Sequence, residues 1–275
     1  MGSPGPRGIG LGDVDHVRVP VPDVDEAVQL LTTLGLTVAP PQWELDPDGV
    51  LARLLTDARH VLFRPVDRSM ANFLVLGRGG DPVLVCYAPD PEDTHVRLLR
   101  LGVAAQPPRT LPPRIWTDPE SGQPLPVHAR QLMVTDPLIP LRISGFTTAT
   151  PETYQHRAFT THPNGAGHIL GVTWAVDDLS AAVDWLSGPV FALPAQLESP
   201  KSAVIRPRDL FIRIVSGPGA MCAVSIGVPD IADVRKRAQA GAVPHHVSAA
   251  GHVVVRFGGD SPVLLQFELS TERHA

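Results

Sequence analysis

The sequence predicts an α+β protein of four βαβββ units, paired first with second and third with fourth. Two observations carry this. One pattern recurs over Val14–Leu34, Val83–Leu101, Ile169–Leu186 and Ala223–Ala240: an apolar strand, an Asp or Pro-Asp, then an amphipathic helix. One such unit cannot bury its own apolar face, so the copies must pack together. The junctions within the pairs also match, GRGGDPVLVCYAPD joining the first two units and VSGPGAMCAVSIGVPD the last two.

The first unit opens with alternation over Val14–Val21. Val17, Val19 and Val21 point one way, and His16, Arg18 and Pro20 the other. Pro22-Asp23 then caps a helix whose apolar residues, Val24, Ala27, Val28, Leu31 and Leu34, fall at helical spacing. Gly35 ends it. Strands are expected at Leu36–Ala39, Leu51–Leu55, His60–Phe63 and Asn72–Leu76, one more than a unit requires. The second unit has a strand at Val83–Tyr87, a helix over Glu92–Leu101, and closing strands at Gln131–Thr135 and Pro140–Phe146. Between them Gln106–Val127 carries seven prolines. Proline removes a backbone donor, so this stretch is expected to be a loop that wraps the surface or covers a pocket, without helix or central strand. The third unit closes with Leu210–Val215, and the fourth with Val253–Phe257 and Val263–Leu269. The resulting organisation is a flexible leader (1–12), a first domain (13–147, with the Pro-rich insertion 106–127), a connecting segment (148–168) and a second domain (169–270).

Bulk properties narrow the function. A chain of 275 residues that is 43% hydrophobic and 19% charged is an ordinary globular protein. There is no apolar run long enough to span a membrane. MGSPGPRGIGLG lacks the charged-then-apolar design of a secretory signal. The net charge of −5, with no basic block, argues against nucleic acid as partner. Cys86 and Cys222 sit in apolar strands, as reduced, buried small hydrophobes of a cytoplasmic protein would. The expected partner is a small molecule; oligomeric state is not readable.

DHVRVPVPDVDEAV at the opening, SMANFLVLG within the first unit, HPNGAGHILGVTWAVDDLSAAV at the third and GGDSPVLLQFEL at the close resemble the vicinal oxygen chelate superfamily. This is the group of glyoxalase I, bleomycin-resistance proteins and extradiol dioxygenases. The resemblance covers most of Val14–Leu269. It implies that paired units curl into two half-barrel domains with the ligand in the concavity. It also implies a metal-ligating His seven residues before the opening Asp, which His16 and Asp23 match. The same position holds Val83, Gly171 and Ala223 in the other units, none of which can bind a metal. The closing-strand ligand position resembles Ser144 and Gln266, with Glu268 two residues on. A metal needs three or four converging ligands, so the expected cofactor is none, a divalent ion remaining open only through His60, His162 or His168 from loops.

Parity places His16, Arg18, Tyr87, Arg142 and Ser144 on one inward face of the first domain. Two guanidiniums there suit a small anionic or polyoxygenated ligand, with rim pairing to solvent or acids as the alternative. Asn72, Tyr87, Arg142, Ser144 and Gln266 join Arg18 as candidate substrate contacts. His16 is the candidate catalytic acid or base, imidazole being the side chain that titrates near neutral pH. In the second domain the same parity gathers Thr173, Arg213, Ser225, Gln266 and Glu268. The connector clusters His156, Phe159, His162 and His168, while His245, His246 and His252 read as surface or edge-strand histidines. No nucleophile motif is present. The leading expectation is metal-independent acid–base chemistry (an isomerase, lyase or cyclase), as in natural-product biosynthesis. A non-catalytic drug binder of the bleomycin-resistance type is the alternative, and a metal-dependent glyoxalase or dioxygenase the third.

Overall fold

The structure is a computed structural model that describes residues 14–46, 51–64, 73–135, 138–139, 141–146, 156–208, 210–257, 261 and 263–270; for 51, 52 and 141–146 it describes the backbone alone. Asn72 lies outside the described residues. In chain order the elements of the first half are β1 (Val14–Val21), α1 (Val24–Thr33), β2 (Trp43–Leu45), β3 (Leu51–Leu54), β4 (Ala58–Leu62), β5 (Phe73–Arg78), β6 (Val83–Tyr87), α2 (Pro91–Arg100), β7 (Arg109–Thr110), β8 (Arg114–Thr117), β9 (Pro124–Val127), β10 (Ala129–Met133) and β11 (Leu141–Phe146). A short helix α3 (Arg157–Thr160) leads into β12 (His168–Val176), α4 (Leu179–Trp185), which continues as a π turn through Leu186–Val190, β13 (Gln196–Ser199), β14 (Ser202–Ile205) and β15 (Phe211–Ser216). The last unit is β16 (Ala220–Val228), α5 (Ile231–Ala240), β17 (His245–Val247), β18 (Val253–Arg256) and β19 (Leu264–Leu269).

The four openings share one physical device. Asp23, Asp90, Asp178 and Asp230 each adopt extended backbone and accept hydrogen bonds from the first-turn N–H groups of the helix that follows. Those donors have no partner inside the helix. At the end of α1, Gly35 takes φ 85° and Leu36 N–H donates to Leu31 O at 2.9 Å, the αL cap that glycine accommodates without strain.

The second half forms one sheet in the order β13-β14-β15-β12-β16-β19-β18-β17. This is two βαβββ units meeting at β12 and β16. The first half repeats the order as β4-β5-β1-β6-β11-β10-β7. The two sheets are the half-barrels. Their helix-facing sides share a continuous core that includes Val17, Leu31, Leu74, Trp174, Ile212 and Phe267.

The first half departs from the expected strands in two places. Leu36–Ala39 is not a strand; Ala39 N–H donates to His60 O (2.8 Å) in an irregular connection. The Pro-rich stretch does contain a central strand. A separate four-stranded sheet has the order β3-β2-β8-β9, so β2 and β3 leave the main sheet and pair with the insertion. Proline does not exclude β8, because Arg114–Thr117 contains none. Prolines flank it or sit in the edge strand β9, where an absent N–H does little harm. Trp116 is fully buried and its Nε1–H donates to Pro40 O at 3.1 Å. It anchors a small second core with Leu62, Phe73, Val127 and Phe159, which fastens this lid to the main sheet.

The connector is built in by hydrogen bonds. Asn164 Nδ2 donates to Leu34 O at 3.0 Å, and a Cβ at Gly35 would come within 2.9 Å of Asn164 Cβ. Thr37 N–H donates to His162 Nδ1 at 3.0 Å, so Nε2 carries the proton and donates to Leu62 O at 3.0 Å. Burial pushes the His162 imidazole down to about 4 and keeps it neutral. Asp118, in the turn between β8 and β9, lies 3.3 Å from His156 Nε2 and ties the lid to the connector.

Candidate functional site

Between the first sheet's concave face and the lid lies a cavity of about 350 Å³, a size that holds a small organic ligand. β1 supplies its floor. The buried–half-buried alternation from His16 to Val21 turns His16, Arg18 and Pro20 away from the helices. His16 Nδ1 lies 2.5 Å from Oδ2 of Asp15, which is fully buried. That contact orients the ring and commits Nδ1, leaving Nε2 as the nitrogen able to exchange a proton. The ring stacks on Phe73 with centroids 4.3 Å apart and planes 14° apart.

His60, on β4 rather than in a loop, faces the same cavity. Its ring meets Phe73 at 5.6 Å and the edge of Trp116 at 5.3 Å. Burial, and after it the Arg114 and His16 charges, pushes this imidazole down to about 3, so His60 is neutral near pH 7. The two histidines are therefore unlike: one is paired with a carboxylate, the other held neutral by its surroundings.

The walls are basic. Among the described residues, Arg18, Arg53, Arg78, Arg109 and Arg114 line the cavity, against the single carboxylate of Asp57. Arg53 approaches Glu44 at 3.5 Å and Arg78 approaches Asp23 at 3.8 Å. Arg18 donates to Gly79 O and Asp81 O, both at 2.9 Å, and lies flat over the β5–β6 turn. A Cβ at Gly77 would come within 2.8 Å of its guanidinium. Arg18 is thus a rim residue with part of its donor set engaged. Arg109 and Arg114 have no carboxylate partner among the described residues.

The sequence candidates separate. His16 and Arg18 line the cavity; Tyr87 is half-buried and outside its wall. Backbone register places Arg142 opposite Val85, in the row that holds His16, and Ser144 opposite Tyr87. Gln266 belongs to the other sheet, where Nε2 donates to His252 Nδ1 (2.7 Å) and Glu268 Oε1 (2.9 Å). His252, half-buried just before the strand next to the sheet edge, is thereby tied to Gln266, and Cys222 is half-buried rather than buried. Asp15, Gln42, His60, Phe73, Arg109 and Arg114 are additions to the site. Alternation marks β1, but the arginines of the insertion carry no pattern that ties them to it.

Register also tests the metal positions. In the first sheet Phe73, His16, Val85, Arg142 and Met133 form one row; in the second the row is Phe211, Gly171, Ser225, Gln266 and Val254. Gln266 is thus level with Arg142, and Glu268 with Ser144. Val83 offers hydrocarbon on the strand beside His16. At Gly171 a Cβ would come within 2.4 Å of both the Phe211 ring and its carbonyl oxygen, so no imidazole fits there. Among the described residues no three metal-ligating side chains converge. The described residues do not fit a metal.

No protein-family model matches the chain, and no curated protein matches it. Solved structures do. A variant of homoprotocatechuate 2,3-dioxygenase from B. fuscum superposes with TM-score 0.62 at 11% identity, over 97% of this chain and 74% of that one. The Mn(II)-bound glyoxalase from Novosphingobium aromaticivorans gives 0.56 at 12% identity, over 93% and 81%. A hypothetical protein from Staphylococcus aureus gives 0.59 at 12% identity, over 94% and 99%. At such identities the likeness shows the fold alone, one this chain shares with a ring-cleaving dioxygenase and a glyoxalase.

Proposed function

We propose that the cavity binds a small organic anion and that His16 moves a proton on it without a metal, in an isomerase-, lyase- or cyclase-type reaction. The observation that carries this is the Asp15–His16 pair opening onto a wall in which Arg109 and Arg114 have no carboxylate partner among the described residues. A half-buried imidazole fixed by a buried carboxylate is a usual arrangement for a general base. Unpaired guanidiniums at a cavity wall supply the counter-charge for a carboxylate, and for an oxyanion as it develops. The neutral His60 is unsuited to donating a proton near pH 7 and serves recognition instead.

Proton exchange tests this without knowledge of the net reaction. An acid–base enzyme exchanges an acidic C–H proton of a bound carbon acid with solvent; a binder does not. Pyruvate, acetoacetate and mandelate are incubated with the protein in D₂O and followed by proton NMR. Catalysed exchange in at least one is expected, slowed by a factor on the order of 100 or more in His16→Asn and unaffected by chelator. Exchange equal in both proteins removes His16 from the chemistry. Binding with no exchange favours the sequestering alternative. A stoichiometric transition metal in the purified protein overturns the metal-free part.

A further inference from the structure

Residues of the cavity wall also carry buried polar atoms that nothing among the described residues satisfies. Gln42 is 3% exposed and His60 6% exposed, and both line the cavity. Gln42 Oε1 and His60 Nδ1 are fully buried with no hydrogen-bond partner among the described residues, and so is Arg114 Nε. Buried polar atoms left in this state are uncommon and destabilising, and several around one cavity point to a ligand that completes them.

We infer that Gln42 and His60 form a second recognition point in this cavity, one that reads an uncharged hydrogen-bonding group, a hydroxyl or an amide, on the same ligand whose anionic end the arginines hold. This rests on the cavity being an anion site, as proposed above. The chemistry selects the group. Gln42 Oε1 only accepts, so it requires a donor. The burial and the Arg114 charge that hold His60 neutral would equally penalise an ammonium. The ligand is therefore a hydroxylated or amide-bearing anion, not an amino acid.

A shape-matched series tests this: 4-methylbenzoate, 4-(hydroxymethyl)benzoate and 4-(aminomethyl)benzoate, with their meta isomers, titrated by calorimetry against the full chain. The hydroxymethyl compound of one series is expected to bind roughly tenfold or more tighter than its methyl analogue, with the aminomethyl compound weakest. Gln42→Met and His60→Phe should each bring the hydroxymethyl-to-methyl ratio toward one. Arg109→Ala should weaken the whole series by a common factor and keep the ratio. A ratio near one in the unmodified protein, with binding still weakened by Arg109→Ala, overturns the recognition point and leaves the anion site standing. Binding by no member, or no response to Arg109→Ala, overturns the anion site and this inference with it. Melting temperature gives a ligand-free check. Removing an unsatisfied buried amide should raise it in Gln42→Met, whereas a fall would show that Gln42 serves packing alone.

Discussion

The two concave faces are built to one plan and furnished oppositely. By register, His16 corresponds to Gly171, Arg18 to Thr173, His60 to Val204, and Phe73 to Phe211. In the first sheet the phenyl ring stacks on an imidazole and a cavity remains beside it. In the second the equivalent ring closes over a glycine. The second sheet also neutralises its own charge. Glu198 takes Arg213 through two hydrogen bonds, at 2.9 and 3.2 Å, and this contact holds the Glu198 carboxyl below its ordinary range. The first face has a lid, and there Arg109 and Arg114 have no such partner among the described residues. A duplicated scaffold thus divides its tasks: one face keeps unsatisfied chemistry, the other satisfies itself.

The largest expected effect is acid sensitivity, carried by His60 on the first face and by His162 in the connector packed behind it. His60 and His162 are held at about 3 and about 4, against 6.5 for a free imidazole. The unfolded chain therefore takes up protons near pH 6.5 that the folded chain refuses. Stability from these groups is complete above pH 6.5, falls as pH drops toward about 4, and levels off below about 3. Each tenfold difference in proton affinity between the folded and unfolded imidazole is worth about 1.4 kcal/mol, so the two histidines together lose several kcal/mol. Urea unfolding between pH 7.5 and pH 4.5 should show the fall, and His60→Phe combined with His162→Gln should flatten it. Val204, the counterpart of His60, has no proton to take. An unchanged slope in the double variant would place the acid sensitivity elsewhere.

A smaller effect is expected from adding a methyl group to the closed face. In Gly171→Ala the new carbon would sit 2.4 Å from the Phe211 carbonyl oxygen, and backbone cannot yield as a flexible side chain does. Overpacking of this kind costs roughly 1–3 kcal/mol. Val75→Ala, which deletes two methyl groups from a half-buried side chain on the wall of the open cavity, should destabilise less in the same denaturation assay. The opposite order would mean that the second face is not the better packed one.

These contrasts explain what could be read in advance. Each unit announces itself locally, since strand alternation and an N-cap Asp need only a dozen neighbouring residues. The fourfold repeat, the two half-barrels and the inward set of β1 were therefore legible. The lid was not, because it joins β2 and β3 to an insertion some seventy residues later, and proline content hid the proline-free strand β8. With the lid went Arg109, Arg114 and the burial of Gln42 and His60. Their roles depend on distant chain closing over them, and no local period encodes that. Register also moved one assignment: Gln266 is level with Arg142, a match that requires counting across strands β11 and β19.

The smallest effect tests whether charge alone separates the faces. Arg213 and Glu198 are each about one-third exposed, at 34% and 33%, so breaking their pair should change stability by about 1 kcal/mol or less. Its effect on binding should be clearer. Glu198→Gln leaves the Arg213 guanidinium over the Phe211 ring, 5.0 Å from its centroid, with no carboxylate opposite. Phosphate titrated against nitrogen-15-labelled protein should then shift the Arg213 Nε resonance, saturating on the order of 1 mM or weaker. In the unmodified protein that resonance should stay still while the arginines of the first cavity respond. If the unmodified second face binds phosphate as well as the first does, self-neutralisation is not what distinguishes them. If Glu198→Gln frees the guanidinium and still binds nothing, the lid and the enclosed volume, rather than unpaired charge, make the first face a site.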